Sequence, residues 1–307
     1  MIEQLKTRDV LMQSIRAFFH SEGFIEVETP IRLKTPCMEL HIDAEPSGDS
    51  YLRTSPELCH KKLLACGAEK IFEVAKCFRQ GEKGYLHNPE YTMLEWYRTG
   101  GDYMIALEDT QALIASLFAD SPRSGTSATD CWVGAVCPER SRRETPPISG
   151  EWKVFTVVEV FEKYAGWNPV ENFDADRFDL DLVEKIESAL PKDCPVVLKD
   201  YPAELCALAR LKPGNPKVAE RWELYLNGIE IANAYSELTD PVEQRARFEK
   251  WGEQRRALGK PVYDLDEEFF QCLEKMDPAC GVALGLDRLL MILTGETSLD
   301  AVLPFRD

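Results

Sequence analysis

The sequence predicts a single α+β domain built on a largely antiparallel β-sheet that is flanked by helices. Strand-like segments of alternating hydrophobicity follow one another through short loops, and such neighbours pair in antiparallel fashion. Segments with helical spacing of apolar residues lie between these strand pairs. The 307 residues contain no internal repeat and no clean linker, so we expect one domain over residues 1–307.

Composition narrows the class of protein. Hydrophobic residues make up 44% of the chain and aromatic residues 10%, which is enough for a packed core. The net charge of −17 disfavours non-specific binding to nucleic acid. The sequence has neither an apolar membrane span nor a signal-peptide core, so we expect no membrane partner. The ten scattered cysteines lack any C-x-x-C pattern, which predicts free thiols in a reducing cytoplasm.

In the first 120 residues, segments with helical spacing of apolar residues alternate with segments that have the two-residue period of strands. Apolar residues between Leu5 and Phe19 keep helical spacing, and Gly23 closes that helix. The following strand, residues 24–30, ends at Pro30. The remaining predictions in this half are a short helix, two strands joined by a glycine-containing loop, and a second long helix, at residues 56–67, 70–79, 90–98 and 102–119.

The second half begins with a change in composition. Residues 121–150 are rich in Ser, Pro, Gly and Thr and have no period, which predicts a mobile surface insertion. Its basic group, Arg140, Arg142 and Arg143, is interpreted as solvated surface charge. The elements predicted beyond it are two helices near residues 174–190 and 241–258, a hairpin over 221–237, and an apolar strand in 281–290 that becomes a helix at Asp287.

The stretch FRQGEKGYLHNPEYTMLEWYR, residues 78–98, is the first candidate for chemistry. Because alternate side chains of a strand share a face, Glu95 is expected beside Tyr91, Met93 and Tyr97, with Thr92, Leu94 and Trp96 on the opposite, core-facing side. A carboxylate flanked by phenols suits an ammonium group or a nucleobase. Arg79 ends the preceding strand, where a guanidinium can bind a phosphate, and His87 and Asn88 in the connection could reach other phosphate oxygens. A salt-bridged surface hairpin is the alternative.

The stretch RWELYLNGIEIANAYSE, residues 221–237, is the second candidate. The Asn227-Gly228 pair predicts a two-residue hairpin turn, which places Glu223 opposite Ala232 and diagonal to Glu230. Two carboxylates this close repel unless a cation lies between them, and oxygen ligands suit magnesium. A surface acidic pair is the alternative. Glu237 reaches the same face only if the strand contains a bulge or bend.

The stretch GVALGLDRLL, residues 281–290, is the third. Gly285 permits close approach of the backbone to a ligand, and Asp287 is a suitable N-cap. Arg288 then falls in the first helical turn, where a positive charge is unfavourable for the helix dipole, so an anion is its expected partner.

Together these segments resemble the three signature motifs of class II aminoacyl-tRNA synthetases. FFHSEGFIEVETPIRL, residues 18–33, resembles motif 1, the dimer-interface helix and strand, and the hairpin of residues 78–98 and GVALGLDRLL resemble motifs 2 and 3. RTSPEL, HNPEYTMLEWY and GIEIANAYSELTDPVEQRARF are most similar to lysyl-tRNA synthetases. The resemblance covers nearly the whole chain apart from residues 121–150 and implies the class II synthetase sheet.

Motif 1 begins almost at Met1, where lysyl-tRNA synthetases carry an anticodon-binding barrel first. A catalytic core alone, with GVALGLDRL and EWYR, resembles the elongation factor P–(R)-β-lysine ligases, truncated paralogues of these synthetases. That family activates (R)-β-lysine with ATP and transfers it to a lysine side chain of elongation factor P. Ala283, where the synthetases usually have glycine, fits the reshaped amino-acid pocket of that subgroup.

The resemblance implies a role for individual residues. Arg79 and Arg288 are the implied catalytic residues, which hold the α- and γ-phosphates. The implied ATP contacts are completed by Gln80, Gly81, Glu82, His87, Asn88, Tyr91, Glu223, Leu224 and Gly285. The implied contacts of the lysine substrate are Ser55, Pro56, Glu57, Glu95, Tyr97, Glu230, Asn233, Glu237 and Ala283. Glu223 and Glu230 would hold Mg²⁺. Gly81 stands where motif 2 commonly has a glutamate, which makes Glu82 the candidate for that contact.

The resemblance therefore implies a cytoplasmic ligase with ATP and Mg²⁺ as cofactors. Its expected partners are elongation factor P as the protein acceptor and (R)-β-lysine or lysine as the small substrate, without tRNA, and a homodimer follows from motif 1. A minimal lysyl-tRNA synthetase that charges tRNA is the alternative within the class. A catalytically silent, amino-acid-sensing or regulatory paralogue is the alternative outside it.

Overall fold

The structure is a computed structural model that describes residues 2–119 and 151–306. The strands in these ranges are β1 (Ile25–Glu26), β2 (Arg32–Leu33), β3 (Pro46–Ser47), β4 (Ser50–Leu52), β5 (Lys70–Phe78), β6 (Glu90–Thr99), β7 (Lys153–Thr156), β8 (Val196–Pro202), β9 (Leu211–Lys212), β10 (Asn215–Leu226), β11 (Ile229–Ser236) and β12 (Ala279–Gly285). The α-helices are α1 (Ile2–Ser21), α2 (Glu57–Ala65), α3 (Tyr103–Ala119), α4 (Val157–Tyr164), α5 (Ala175–Asp181), α6 (Pro241–Ala257), α7 (Glu267–Leu273) and α8 (Leu286–Thr294). Helix α5 continues into a π-helical segment, Leu182–Glu187, and 3₁₀ turns lie at Ala203–Leu205 and Leu299–Ala301.

Most strands join one large sheet in the order β1-β5-β6-β12-β11-β10-β8-β7, with β9 paired to β10. Its two outermost pairs, β1 with β5 and β7 with β8, are parallel, and the pairs between them are antiparallel. Strands β2, β4 and β3 form a small second sheet. The predicted α+β fold with a largely antiparallel sheet is confirmed for the described residues.

All six predicted helices are present, and Gly23 follows the first of them with the positive φ of +79° that favours glycine. The predicted strand over residues 24–30 is too long: only Ile25 and Glu26 pair with β5, and the chain leaves the sheet before Pro30. The elements absent from the prediction are the short strands β2, β3, β4 and β9, strands β7 and β8, and helices α4 and α7. The insertion predicted at residues 121–150 lies outside the described residues.

The hairpin of β10 and β11 forms at the predicted turn, but its register differs from the prediction. Asn227 and Gly228 have φ values of +53° and +73°, as the two-residue turn requires. Glu223 nevertheless lies opposite Asn233, and the prediction that it lies opposite Ala232 is wrong. The cause is a bulge that adds one residue to β11.

The bulge lies at Ile231, because Glu230 and Ala232 on either side of it pair with consecutive residues of β10. An extra residue inverts the alternation of the side chains beyond it. Glu230 before the bulge and Glu237 after it therefore reach the same side of the sheet. The sequence predicted that Glu237 shares the face of Glu230 only if this strand contains a bulge or bend, and the bulge at Ile231 provides it.

Strand register arranges side chains of one sheet face in two rows that cross β5, β6, β12, β11 and β10. Residues paired across neighbouring strands project from the same face. One row consists of Glu73, Glu95, Ala283, Asn233 and Glu223, and the adjacent row of Ile71, Tyr97, Gly281, Tyr235 and Arg221. The polar residues predicted on separate strands are thus brought to one surface.

The opposite face of the sheet is the main hydrophobic core. Leu94 and Trp96 of β6 pack there with residues of helices α1, α3 and α8, as the alternation in β6 predicted. Trp222 of β10 lies in the same cluster. Burial of such side chains stabilises the fold by about 1.5–3 kcal/mol each. Because alternate side chains of a strand point to opposite faces, packing of this apolar face directs the polar side chains to the other face.

Asp287 does not cap helix α8, and that prediction is wrong. Gly285 is the N-cap and the helix begins at Leu286. The buried carboxylate of Asp287 accepts hydrogen bonds from the backbone N–H of Thr92 at 2.7 Å and from Nη1 of Arg8 at 2.6 Å. Asp287 therefore links α8 to β6 and α1.

Candidate active site

A cavity of about 400 Å³ lies over the two polar rows of the sheet. Strands β6, β10, β11 and β12, helix α8 and the β5–β6 loop contribute to its wall. The predicted site residues that line it are Ser55, Glu57, Arg79, Glu82, His87, Asn88, Tyr91, Glu95, Tyr97, Glu223, Glu230, Asn233, Glu237, Ala283, Gly285 and Arg288. Residues far apart in sequence thus share one chamber.

Four predicted residues do not line the cavity. Leu224 alternates with Glu223 along β10 and is fully buried in the core, so its side chain cannot contact ATP. Pro56 is buried at the start of α2. Gln80 and Gly81 are exposed in the β5–β6 loop.

Glu82, the residue after this exposed pair, does line the cavity. One of its carboxylate oxygens lies 3.6 Å from Nη1 of Arg79. The structure thus gives Glu82, rather than Gly81, the position from which a carboxylate can orient Arg79.

Two arginines define one end of the cavity. Arg79 follows β5, and its guanidinium stacks on the ring of Tyr91 at 5.2 Å from the centroid. Arg288 lies in the first turn of α8, where Nη2 is 2.8 Å from Nε2 of His87 and Nη1 donates to the carbonyl of Glu230 at 2.8 Å. Burial and the charge of Arg288 lower the pKa of His87, which favours a neutral imidazole. Two guanidinium groups facing one chamber are suited to a polyphosphate.

Glu223 and Glu230 lie beside this end. Glu223 accepts hydrogen bonds from the hydroxyls of Tyr201 at 2.5 Å and Tyr225 at 2.7 Å, and Nη2 of Arg221 lies 2.5 Å away. Burial and the charge of Glu223 raise the pKa of Glu230 to about 7. Nη1 of Arg288 lies 3.6 Å from Oε2 of Glu230, and a divalent cation beside the pair would further favour the ionised form of Glu230.

Within the described parts of the chain, no group of three or more His, Cys, Asp or Glu side chains could hold a metal ion. Magnesium is commonly bound by one or two carboxylates together with substrate phosphates. Glu223 and Glu230 fit that mode of binding.

The other end of the cavity is acidic. Glu95 accepts hydrogen bonds from Oγ of Ser55 at 2.7 Å and from the hydroxyl of Tyr97 at 2.8 Å. Burial and the charge of Glu57 raise its pKa to about 8. Burial raises the pKa of Glu237 to about 8 as well. The raised pKa values indicate that nearby positive charge does not fully offset the burial of these carboxylates, and substrate ammonium groups would add to that charge.

Lys61 is the internal cation of this acidic end. Its ammonium is fully buried and lies 2.7 Å from Oε1 of Glu57 and 2.5 Å from Oε2 of Glu237. Burial opposes its charge, but the two carboxylates hold the pKa of Lys61 above its usual value. When Glu57, Glu95 and Glu237 are all ionised, Lys61 offsets one of their three negative charges. Two positive charges would offset the other two, and a diamino acid carries two ammonium groups.

Sequence analysis missed four residues of this site: Glu39, Lys61, Arg221 and Tyr235. Lys61 lies four residues after Glu57 on the predicted helix, a spacing at which oppositely charged side chains meet. Arg221 precedes Glu223 by two residues and shares its face of the strand. Glu39 lies in an irregular segment without a pattern that could have indicated it.

The arrangement can hold a nucleoside triphosphate at the arginine end against an amino acid whose ammonium groups bind at the acidic end. The carboxylate of that amino acid would then lie near the α-phosphorus. Such a geometry suits adenylate formation.

The described helices include none with the length and apolar character of a membrane span.

Comparisons with known proteins agree with this geometry. The family model for class II tRNA synthetases (D, K and N) matches residues 1–307. The chain is similar to proteins named elongation factor P–(R)-β-lysine ligase from Vibrio vulnificus, at 36% identity over 318 residues, and from Vibrio cholerae, at 35% over 318 residues. A protein of the same name from Avibacterium paragallinarum is 35% identical over 324 residues. Each similarity covers 99% of this chain and 95% of the relative.

Proposed function

Because the chain belongs to the class II tRNA synthetase family, we propose that it is an ATP-dependent ligase that modifies elongation factor P. It activates (R)-β-lysine or lysine as an aminoacyl-adenylate and transfers it to a lysine side chain of that factor. The relatives that cover nearly the whole chain carry the corresponding name.

A single structural observation supports the proposal most strongly: one cavity joins a guanidinium end to a carboxylate end. Arg79 and Arg288 provide the first, and Glu57, Glu95 and Glu237 the second. A substrate with two ammonium groups and one carboxylate is complementary to this distribution. A neutral competitor would leave buried carboxylates unpaired, at a cost of about 1–3 kcal/mol each.

The first half-reaction requires no protein nucleophile. The substrate carboxylate attacks the α-phosphorus of ATP in line, and pyrophosphate leaves. Arg79 neutralises charge on the α-phosphate and Arg288 on the γ-phosphate, while Tyr91 provides a stacking surface for adenine. Catalysis is therefore positioning and electrostatic stabilisation.

Glu223 and Glu230 would hold Mg²⁺, as the raised pKa of Glu230 supports. When bound, the ion supplies neutralisation of phosphate charge. Glu230 carries a second contact in its backbone carbonyl, which accepts from Arg288.

Several finer features belong to the same proposal. Ala283 lies opposite both Glu95 and Asn233 in the sheet, where a methyl group shapes the floor of the amino-acid pocket. We propose (R)-β-lysine as the preferred substrate on the basis of this residue.

We further propose a homodimer through residues 18–33. We also propose a cytoplasmic location, which the eight free cysteines of the described residues support.

The intact mass of elongation factor P tests the proposal. Purified enzyme is incubated with ATP, elongation factor P, bulk tRNA and either (R)-β-lysine or lysine. We expect the factor to gain the mass of one acyl group, with the larger rate for (R)-β-lysine, and no acylation of tRNA.

Two results would contradict it. Acylation of tRNA alone would indicate the minimal lysyl-tRNA synthetase. Absence of pyrophosphate exchange dependent on either amino acid would indicate a catalytically silent paralogue, which the presence of Arg79, Arg288, Glu223 and Glu230 in one cavity does not favour.

A further inference from the structure

We propose that Glu39 is the general base that deprotonates the acceptor amine in the transfer step, an inference that rests on the proposed function. An acceptor lysine is positively charged in water and cannot attack a carbonyl until its nitrogen loses a proton. Pyrophosphate release, by contrast, requires no such base. The transfer step therefore needs a group that the activation step does not use.

Glu39 lies where that group is needed. It lines the cavity from the irregular segment before β3, together with Ile42. The charges that act on its carboxylate come from the arginine end through Arg79 and from the amine end through Glu57. The activated carbonyl would lie between these two ends. The exposed side chain of His41 places this segment at the border with solvent, from which a protein side chain would enter.

The Glu39 carboxylate is free to accept a proton. Among residues 2–119 and 151–306, no hydrogen bond or ion pair holds it, in contrast to Glu57, Glu95 and Glu237. Glu39 is partly exposed and lines the cavity.

The backbone of this segment is held rigidly by Arg255 of α6. This guanidinium is fully buried, and its N–H groups donate at 2.7–3.1 Å to the carbonyls of Glu39, Ile42 and Pro261, the carboxylate of Asp43 and the hydroxyl of Tyr263. A free carboxylate on an anchored backbone has the preorganisation that a catalytic base requires.

The groups around Glu39 shift the pKa of its carboxyl. Burial and the charge of Glu57 raise the pKa of Glu39 to about 7, while Arg79 and Arg221 oppose that rise and Glu82 adds to it. A base near neutrality is efficient at physiological pH. The remaining titratable neighbours stay neutral, because burial raises the pKa of both Cys37 and Tyr235.

The chemical step balances as follows. The acceptor ammonium transfers one proton to the Glu39 carboxylate, and the freed lone pair attacks the carbonyl carbon of the adenylate. The new C–N bond forms, the C–O bond to the phosphate breaks, and AMP leaves with that electron pair. The nitrogen loses its second proton to solvent, and Glu39 later releases its own.

The test separates the two half-reactions with Glu39→Gln. Enzyme loaded with labelled lysine and ATP is mixed with elongation factor P in a single turnover. We expect transfer to fall by about 10²–10⁴-fold, the usual contribution of a general base, with pyrophosphate exchange unchanged. In the wild type the transfer rate should rise with pH through about 7 as the carboxylate ionises, and Glu39→Gln should lack this inflection.

Three controls keep the outcome interpretable. Hydroxylamine is already neutral at pH 7, so it should react with the adenylate equally in wild type and Glu39→Gln. Glu39→Asp should recover part of the transfer rate. Glu45→Gln makes the same chemical change at a neighbouring residue that does not line the cavity, and should transfer normally.

Unimpaired transfer by Glu39→Gln would overturn the proposal. So would a parallel loss of pyrophosphate exchange or a raised KM for lysine, since Glu39 would then serve activation or substrate binding. If the wild type shows no exchange with either amino acid, the proposed function itself fails, and that result is distinct from both.

Discussion

Single residues decide the charge balance of the acidic end, and Lys61 is the least expected of them. Its ammonium is wedged between Glu57 and Glu237, so the cavity faces the substrate with two carboxylates that are already partly compensated. Without it, three buried carboxylates would repel one another and take up protons.

Replacement of Lys61 by methionine should therefore weaken substrate binding. The charge of Lys61 lowers the pKa of Glu237, so its loss would raise that pKa further above about 8 and make the ionised carboxylate, which an ammonium group requires, less populated at pH 7. We expect KM for lysine in pyrophosphate exchange to rise about tenfold or more, which corresponds to about 1.4 kcal/mol. Lys62→Met, at the neighbouring and partly exposed Lys62, is the matched control. An unchanged KM in Lys61→Met would refute this role.

The raised pKa values also predict a pH dependence of binding. An ammonium group requires ionised carboxylates, and the pKa of Glu95 and Glu237 is about 8, so lysine binding releases protons below that value. We expect the affinity for lysine to increase between pH 6.5 and 8.5, measured by titration calorimetry. Glu95→Gln should bind with a shallower dependence. A decrease in affinity toward high pH would contradict the sign.

Stability of the ligand-free protein should change in the opposite direction. The folded state holds a proton on Glu95 up to about pH 8, whereas the unfolded chain releases it near the ordinary value of 4.5. The native state thus binds more protons in this window, and the free energy of unfolding contributed by Glu95 falls as the pH rises.

Among the elements, strand β12 lines the cavity with Gly281, Ala283 and Gly285 and so presents no bulky side chain to it. A Cβ added at Gly281 would overlap the ring of Tyr97 and lie 2.5 Å from Oε1 of Glu237. Ala283, two residues later, has room for its methyl group.

Gly281→Ala should therefore displace Tyr97 or Glu237 and abolish lysine-dependent exchange. We expect ATP binding, measured by nucleotide fluorescence, to be retained, because the arginine end lies elsewhere in the cavity. Gly252→Ala in helix α6 is the matched control, since the nearest atom to its added Cβ is 3.4 Å away. Full lysine-dependent exchange by Gly281→Ala would contradict this prediction, because Tyr97 and Glu237 would then accommodate the added methyl group without loss of function.

Contacts between elements hold the arginine end in place. Arg8 of α1 reaches both Asp287 of α8 and Thr92 of β6, and the carboxylate of Asp287 is only 4% exposed. Arg8→Ala leaves this buried charge without its cation, so we expect unfolding to be easier by about 3–5 kcal/mol in urea. Arg16→Ala removes an exposed pair with Glu26 and should cost about 0–1 kcal/mol. Equal effects of the two would contradict this ranking.

At the scale of the whole molecule, the segment of residues 18–33 leaves apolar side chains without cover. Ile25 of the edge strand β1 is 61% exposed, and Ile31 is 44% exposed. Exposed apolar side chains at a sheet edge are favourable sites for subunit contact.

If this surface forms the proposed homodimer, Ile25→Asp should convert it to monomers. Light scattering of the wild type should give twice the mass of one chain, and the variant the mass of one. Val183→Asp changes an equally exposed apolar residue in the segment after α5 and should remain dimeric. A monomeric wild type would remove the proposal.

Local sequence patterns were sufficient to predict six of the helices, the central strands and the sheet face of most site residues. Strand alternation put Glu95 and Tyr97 on the face opposite Trp96, and the Asn227-Gly228 turn fixed the start of the β10–β11 pairing, because these effects are local. The family motifs identified Arg79 and Arg288.

The register beyond Ile231, the place of Glu39 and the pairing of Lys61 with Glu237 are visible only in the folded protein. A bulge adds one residue without a distinctive residue type, and it changes the partner of Glu223 while bringing Glu237 into the cavity. Glu39 reaches the site because Arg255, more than 200 residues away in sequence, anchors its backbone. Such contacts depend on packing between distant segments, which local spacing does not encode.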